Sequence, residues 1–480
     1  MYQFKTEPFE HQRKVLQDSW SAKYYAYFME MGTGKTKVAI DNMGVLFEQG
    51  DIKAALVVAP KGVFDNWVKA EIPAHMSDSV KHHVIRWDPR PRKNYHRELE
   101  RFTLEDFDGL KIFVINVEAF SSPRGAKIAG RFLVHNPDNM MIVDESTTIK
   151  NRKAQRTKNL MVLTKYTKYR RILTGSPVTR SPMDLFSQCA FLDTNALGYN
   201  SFFAFQNRYA VLQRRVMGAR SFQEVIGYRR LDELNEKLFE FSSRVLKEEC
   251  LDLPEKLYIR REVPLTPEQD KLYGQMQKLA LAKLDSGELA TTESVLTQIM
   301  RLQQICCGHF TPDVGKIQAI KNNRLNELLD ILDETSGKVI IWASYTHDIQ
   351  QIGQALRERF GPESLAQYYG ETQQDNRQAI VREFQKPDSP LRFFIGQPKT
   401  GGYGITLTCA NTVIYYSNSY DLEIRLQSED RAHRIGQKNA VTYIDLVSPD
   451  TIDEKVLGAL RAKVNLAEQV LGEDPRGWLQ

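Results

Sequence analysis

Gly32, Thr33 and Gly34, followed directly by Lys35 and Thr36, make a segment able to wrap a polyphosphate. Glycines let successive backbone N–H groups turn toward phosphate oxygens, and a following helix adds the positive end of its dipole. Lys35 would set a point charge against the outer phosphates, and the Thr36 hydroxyl is placed to hold a magnesium ion. The fuller pattern, G-x-x-x-x-G-K-S/T, has a glycine where this chain has Met29. A second chemical element lies further on, where the apolar run Met140–Val143 ends in Asp144-Glu145. An acidic pair at the carboxyl end of a buried strand suits metal binding by Asp144 and orientation of an attacking water by Glu145. The same pair could instead cap the next helix. Together the two elements predict hydrolysis of a nucleoside triphosphate bound with Mg²⁺.

These elements need strands and helices to hold them. In the first half, short apolar runs predict strands at Tyr24–Phe28, Ala54–Ala59, Lys111–Asn116, Met140–Val143 and Arg170–Leu173. In the second half they fall at Lys338–Ala343, Leu391–Ile395, Thr412–Tyr416 and Val441–Leu446. Helical patterns alternate with them, which predicts an α/β fold of two doubly wound parallel-sheet lobes. Between Pro182 and Ile320 β-like runs are scarce and Leu, Gln, Lys and Glu are common, so helical insertions are expected there. The proline in Leu251–Glu255 marks the expected boundary, giving lobes 1–250 (insertion about 182–250) and 251–480 (insertion about 267–320). The tail Glu473–Gln480 reads as a frayed end.

Composition narrows the class. The 480 residues are 42% hydrophobic and 26% charged, ordinary for a globular chain too long for one core. No run approaches the ~20 apolar residues of a membrane span, and the N-terminus lacks a signal-peptide pattern. A cytoplasmic location is therefore expected. The net charge of +5 does not announce a polyanion partner by itself. The clusters Lys150–Arg156 and Lys165–Arg171 could meet phosphates or simply be solvated faces. The five cysteines, Cys189, Cys250, Cys306, Cys307 and Cys409, contain no C-x-x-C pair and read as reduced, mostly buried thiols.

Longer strings carry a family resemblance. Asp144–Asn151 (DESTTIKN) and Leu173–Pro177 (LTGSP) resemble motifs II and III of superfamily 2 helicases. Gln427–Gln437 (QSEDRAHRIGQ) closely resembles motif VI of the Swi/Snf-type helicase-like ATPases, and Gly401–Leu407 (GGYGITL) resembles their motif V. Pro8–Gln12 resembles the opening adenine-reading element, Val57–Trp67 motif Ia, Val114–Glu118 motif Ib and Val339–Tyr345 motif IV. The resemblance implies RecA-like lobes that close on one nucleotide and act on DNA, most often duplex DNA. It departs from the family at Thr147, where a histidine is usual, and at Asn418-Ser419-Tyr420, near the usual W-N-P. A chain this close to the bare motor resembles bacterial or phage-like members.

The resemblance assigns residues to roles. Lys35, Asp144, Glu145, Gln427, Arg431 and Arg434 would be catalytic, with Thr36 and Asp144 on magnesium. Gln12, Gly32, Thr33, Gly34, Lys35, Thr36 and Gly404 would bind ATP, Gln12 by bidentate hydrogen bonding to the adenine edge. Lys61, Asn116, Ser344, Thr400 and Gly401 would contact nucleic acid, chiefly its phosphates. Arg431 and Arg434, three residues apart, would share a helix face as arginine fingers. Trp67, Trp342 and Cys306–Cys307 read as core. The implied function is a double-stranded DNA translocase that remodels or displaces protein–DNA complexes, with a DNA-bound protein as target and a monomer favoured. Two other readings stay open at this point: a branch-migration, fork-regression or annealing enzyme, and an ATP-gated clamp with little turnover.

Overall fold

The computed structural model describes residues 2–61, 63–88, 94–217, 220–250, 253–285, 292–311, 317–401 and 405–471. The expected frayed tail at 473–480 lies outside them. The chain divides into two compact units, Met1–Leu251 with Lys463–Gln480, and Asp252–Ala462.

The first unit contains β1 (Tyr24–Met29), β2 (Ala54–Ala59), β3 (His82–Arg86), β4 (Leu110–Asn116), β5 (Asn139–Asp144), β6 (Tyr169–Leu173), β7 (Ala210–Met217), β8 (Arg220–Tyr228) and β9 (Ser242–Val245). All except β7 and β8 form one parallel sheet in the order β3-β4-β2-β5-β6-β1-β9. Successive residues of its inner strands enter opposite cores. Ala26, Phe28, Leu56 and Val58 pack on one side, Tyr27, Met29, Val57 and Ala59 on the other. Helices cover both faces, so these strands are apolar throughout rather than alternating.

The second unit contains β10 (Lys256–Glu262), β11 (His309–Phe310), β12 (Gln318–Ala319), β13 (Lys338–Trp342), β14 (Leu365–Tyr368), β15 (Phe393–Gly396), β16 (Ala410–Tyr415) and β17 (Val441–Val447). Its parallel sheet runs β10-β17-β16-β13-β15-β14. Here too the strands are buried on both faces, with Val339 and Ile341 in one core and Ile340 and Trp342 in the other. A separate small core joins the helices Pro267–Asp285 and Thr292–Cys307 through Tyr273, Leu302 and Ile305.

The α/β architecture and every strand foreseen from the apolar runs are present, with ends moved by a residue or two. The region after Pro182 is not purely helical, however. Beside the helices Asp184–Leu192, Phe202–Tyr209 and Leu231–Phe239 it holds the antiparallel hairpin β7–β8. Its Val211, Val216, Phe222, Val225 and Ile226 favour extended backbone, but the interspersed Gln and Arg are also good helix formers and masked the pattern.

No described helix is long and apolar enough to cross a membrane. All five cysteines are free. Burial raises each thiol, Cys250 and Cys409 to about 11 and Cys306 to about 12. The thiolate is the reactive form. At pH 7.5 the native protein should therefore leave all five thiols unmodified by a disulfide reagent for many minutes, and denaturant should release five equivalents. A rapid native burst would show that burial does not protect them.

Candidate active site

The phosphate-loop residues follow β1 directly. Met29 is the last residue of that strand and fully buried, so the turn begins one residue later and no glycine is required at 29. Gly32 and Gly34 have φ of 89° and 87°, a region that glycine adopts without the strain a side chain would bring. Gly34 caps the helix Lys35–Glu48, which directs free N–H groups at the loop. A Cβ on Gly34 would also stand 2.1 Å from the Gln12 amide nitrogen.

That closeness changes the expectation for Gln12. Its side-chain nitrogen donates to the Thr33 carbonyl at 3.0 Å, and its oxygen accepts from the Phe9 N–H at 3.1 Å. The His11 ring meets the same Thr33 carbonyl at 2.8 Å. Gln12 thus braces the loop with both polar groups, and a bidentate adenine contact would require it to release them. On the other side Gly175, at the end of β6, fits closely: a Cβ there would lie 3.1 Å from the Met31 nitrogen. Arg244 of β9 donates to the carbonyls of Phe28 and Gly175 at 3.2 and 2.9 Å. The loop is therefore held from both flanks.

Asp144 ends β5 and is buried. Burial raises its pKa, while the Lys35 charge, the Trp67 hydrogen bond and the Glu145 backbone N–H pull it down. The Trp67 indole N–H donates to Oδ2 at 2.8 Å, and the Glu145 N–H donates to Oδ1 at 2.9 Å. Trp67, expected to serve packing alone, is thus also a positioning residue for the acidic group. Glu145 adopts φ 51° and ψ 63°, an uncommon left-handed conformation for a non-glycine residue that stores on the order of 1–3 kcal/mol. Thr174 donates its hydroxyl proton to Glu145 Oε1 at 3.0 Å and accepts from the Ser176 N–H at 3.2 Å. Ser146 donates to Gln188 at 2.7 Å, and Gln188 donates to the Pro177 carbonyl at 2.8 Å, tying DEST to TGSP. Thr147, at the family's histidine position, is buried. A helix N-terminus, Lys35, the half-buried Thr36 and a buried carboxylate together fit a nucleoside triphosphate carried with a divalent cation.

The expected nucleic-acid contacts also lie at strand ends. Ala59 of β2 pairs with Asn116 of β4. The exposed Lys61 and the Asn116 side chain meet through Glu118, which accepts from the Lys61 backbone N–H at 3.4 Å and from Asn116 Nδ2 at 2.9 Å. In the basic cluster Lys165–Arg171 two residues are engaged within the first unit. Arg171 is fully buried on Asn42 and the Ser19 carbonyl, and Lys168 pairs with Asp51 and Asp138.

In the second unit Gln397 gathers Ser344 and Thr400. It donates to the Ser344 carbonyl at 3.0 Å, and its side-chain oxygen accepts from the Thr400 hydroxyl at 3.3 Å. Gly401 is required by packing, because a Cβ would strike the Trp342 ring at 2.6 Å. Gly404 lies outside the described residues. Arg431 and Arg434 do not share a helix: Leu422–Glu429 ends before them, and they occupy the turns that follow. The buried Arg431 donates to the carbonyls of Gln427 and Ile405 at 2.8 and 3.1 Å, whereas Arg434 is half-buried. Gln427 therefore contributes its backbone carbonyl to Arg431, and its side chain reaches Glu423 at 3.4 Å. Gln437 staples the turns, donating to Ala410 and Ala432 carbonyls at 2.9 and 3.2 Å. Below them Arg425 spans Glu429 and Asp445 and stacks 3.6 Å above the Tyr415 ring. Asn418 joins that buried network and so faces inward.

Trp67→Phe removes the indole donor while keeping an aromatic ring in the core. Because it strands the buried Asp144 Oδ2, it should lower unfolding free energy by about 1–3 kcal/mol, read from denaturant midpoints at constant slope. An unchanged midpoint would show that the bond is dispensable.

Comparisons place this arrangement among known proteins. The SNF2-related domain family matches residues 27–311, and the Helicase conserved C-terminal domain family matches residues 320–436. The chain is 25% identical over 515 residues to ATP-dependent helicase fft2 of Schizosaccharomyces pombe, covering 91% of this chain and 38% of that protein. It is 27% identical over 468 residues to "Probable ATP-dependent DNA helicase CHR12" of Arabidopsis thaliana, covering 92% and 39%. Against "Uncharacterized ATP-dependent helicase MG018" of Mycoplasma genitalium it is 25% identical over 451 residues, covering 93% and 40%. The chain thus spans well under half the length of these curated relatives. With more than half of its residues matched to one family, the chain belongs to the SNF2-related helicase-like proteins.

Proposed function

We propose that this chain is an ATP-driven motor that tracks along double-stranded DNA and displaces or remodels proteins bound to it. The observation that carries the reading is the buried Asp144, held by Trp67 and facing the Lys35 charge beside the glycine loop. A buried carboxylate under a cationic loop is a costly arrangement unless a ligand uses it. Magnesium, held with the nucleotide by Thr36 and Asp144, would offset charge on the phosphate oxygens. Lys35 would bind the outer phosphates. Glu145, oriented by Thr174, would take a proton from the attacking water as its oxygen bonds the terminal phosphorus and ADP leaves. Arg431 and Arg434 would meet charge developing in the transition state.

Lys61 and Asn116 of the first unit, and Ser344, Thr400 and Gly401 of the second, are the residues proposed to meet nucleic-acid phosphates. One relative's name specifies a DNA helicase, and the Swi/Snf resemblance favours duplex. Binding should show little sequence preference and a steep salt dependence.

The test is steady-state ATP hydrolysis at low salt with no nucleic acid, single-stranded DNA, duplex DNA or duplex RNA, with Lys35→Ala as the blank. Duplex DNA should stimulate hydrolysis most strongly. Stimulation by single strands or RNA alone would sink the duplex reading, and preference for forks or four-way junctions would favour branch migration. Glu145→Gln should abolish turnover, which an ATP-gated clamp would not need. Thr174→Val, which removes the hydroxyl proton but not its volume, should lower kcat roughly 10-fold or more with KM little changed. A change confined to KM would place Thr174 in nucleotide binding.

A further inference from the structure

Strands β13 and β16 lie side by side in the second sheet, and backbone bonds join them as far as the Tyr416 N–H, which donates to the Trp342 carbonyl at 2.9 Å. Beyond that point side chains take over. The Ser344 N–H donates to the Ser417 hydroxyl at 2.8 Å, and the Ser344 hydroxyl donates to the Ser417 carbonyl at 3.2 Å. One residue further along both chains, the link comes from outside the sheet, through Gln303. Its side-chain nitrogen donates to the Asn418 carbonyl at 2.8 Å, and its side-chain oxygen accepts from the Tyr345 hydroxyl at 2.8 Å. Gln303 thus acts as a substitute rung between two strand ends.

The helix Thr292–Cys307 carries this glutamine. Leu302 and Ile305 of the helix pack in the small separate core, while Cys307 enters a core of the sheet beside Val339 and Ile341. The insertion is therefore anchored where β13 and β16 end. An amide suits the place because one group donates and the other accepts, and both partners lie in a site with little water. Burial holds the Tyr345 phenol well above its ordinary range, with Cys307 and Asp348 adding to the shift, so its hydroxyl keeps the proton it donates. Gln303 is only 7% exposed and does not itself reach a phosphate, whereas Ser344 is half-buried and stays open to one. Ser344 is held from two sides, since Gln397 donates to its carbonyl and Gln303 holds the residues that follow Ser344 and Ser417.

We propose that Gln303 is a positioning residue for Ser344, through which the helical insertion of the second unit fixes the strand end that meets nucleic acid. The inference rests on the reading of Ser344 as a phosphate contact of a duplex-DNA motor. Gln303 makes no contact of its own with the ligand. It removes freedom from the Ser344 backbone when the protein folds, so that less ordering is left to be done at each binding event. Without it the Tyr345 and Asn418 segments separate while the backbone ladder behind them persists.

The test is ATP hydrolysis by the full chain titrated with duplex DNA, for wild type, Gln303→Met, Tyr345→Phe, Ser344→Ala and the Gln303→Met/Ser344→Ala pair, with thermal midpoints as the folding control. Gln303→Met keeps the length of the side chain without its amide, and should raise the duplex concentration for half-maximal stimulation roughly 2- to 30-fold with the KM for ATP unchanged. Tyr345→Phe, which removes a single hydroxyl, should shift it in the same direction and carries the test if the methionine variant does not fold. Because Gln303 acts through Ser344, the pair should bind no more weakly than Ser344→Ala alone. Unchanged half-maximal concentrations in the single variants, or effects that add in the pair, would overturn the positioning role and leave the duplex-DNA reading intact. Failure of duplex DNA to stimulate wild type at any concentration would overturn both.

Discussion

The first unit sets a carboxylate in a place that disfavours its charge and surrounds it with groups that oppose that cost. Burial drives the Asp144 pKa upward, and Lys35, the Trp67 indole and the Glu145 N–H oppose it. Removing any one would leave a buried polar group without its counterpart, which is more destabilising than never burying it. Sheet order makes the arrangement possible. In β5-β6-β1 three neighbouring strands end side by side, supplying Asp144-Glu145, Thr174-Gly175 and the loop from Glu30 to Thr36. Parallel strands must all end on the same edge, so chemistry scattered over some 150 residues of sequence converges there without any long-range device beyond the sheet itself.

The same logic shows why one half of the structure was legible in the sequence and the other half was not. The inner strands are buried on both faces, so each is an uninterrupted apolar run that can be read directly. The four sheet strands that escaped reading, β3, β9, β10 and β14, are the four edges of the two sheets. Edge strands pack on one neighbour only. β10 is exposed along most of its length, and β9 and β14 have four residues each. Such strands carry no apolar run because they bury little. The hairpin escaped for a related reason, since most of its described side chains are exposed.

Site residues divide along a different line. Those defined by backbone geometry, Gly32, Gly34 and the helix start at Lys35, were readable because only glycine suits the loop and only certain residues follow it. Those defined by a partner distant in sequence were not. Nothing in the sequence near Trp67 announces Asp144, and nothing near Gln188 announces Ser146. Spacing misled at Arg431 and Arg434, because a three-residue interval implies a shared face only where a helix continues. Here the helix stops at Glu429, and Gln437 supports the turns beyond it.

The two arginines consequently differ in freedom, and that difference has a mechanical meaning. Arg431 is immobilised by two carbonyls of its own unit, and the network of Arg425, Glu429 and Asp445 fixes the helix that precedes it. Arg434 is less enclosed. A guanidinium already satisfied by carbonyl oxygens gains less from meeting a phosphate than one that is still hydrated, because the bonds it would form replace bonds it already has. Arg431 is therefore suited to shaping the turns and setting a fixed positive potential, and Arg434 to binding whose strength changes as charge develops. The motor function proposed above would need both kinds of group, since a contact equally strong in every state lowers no barrier and moves nothing.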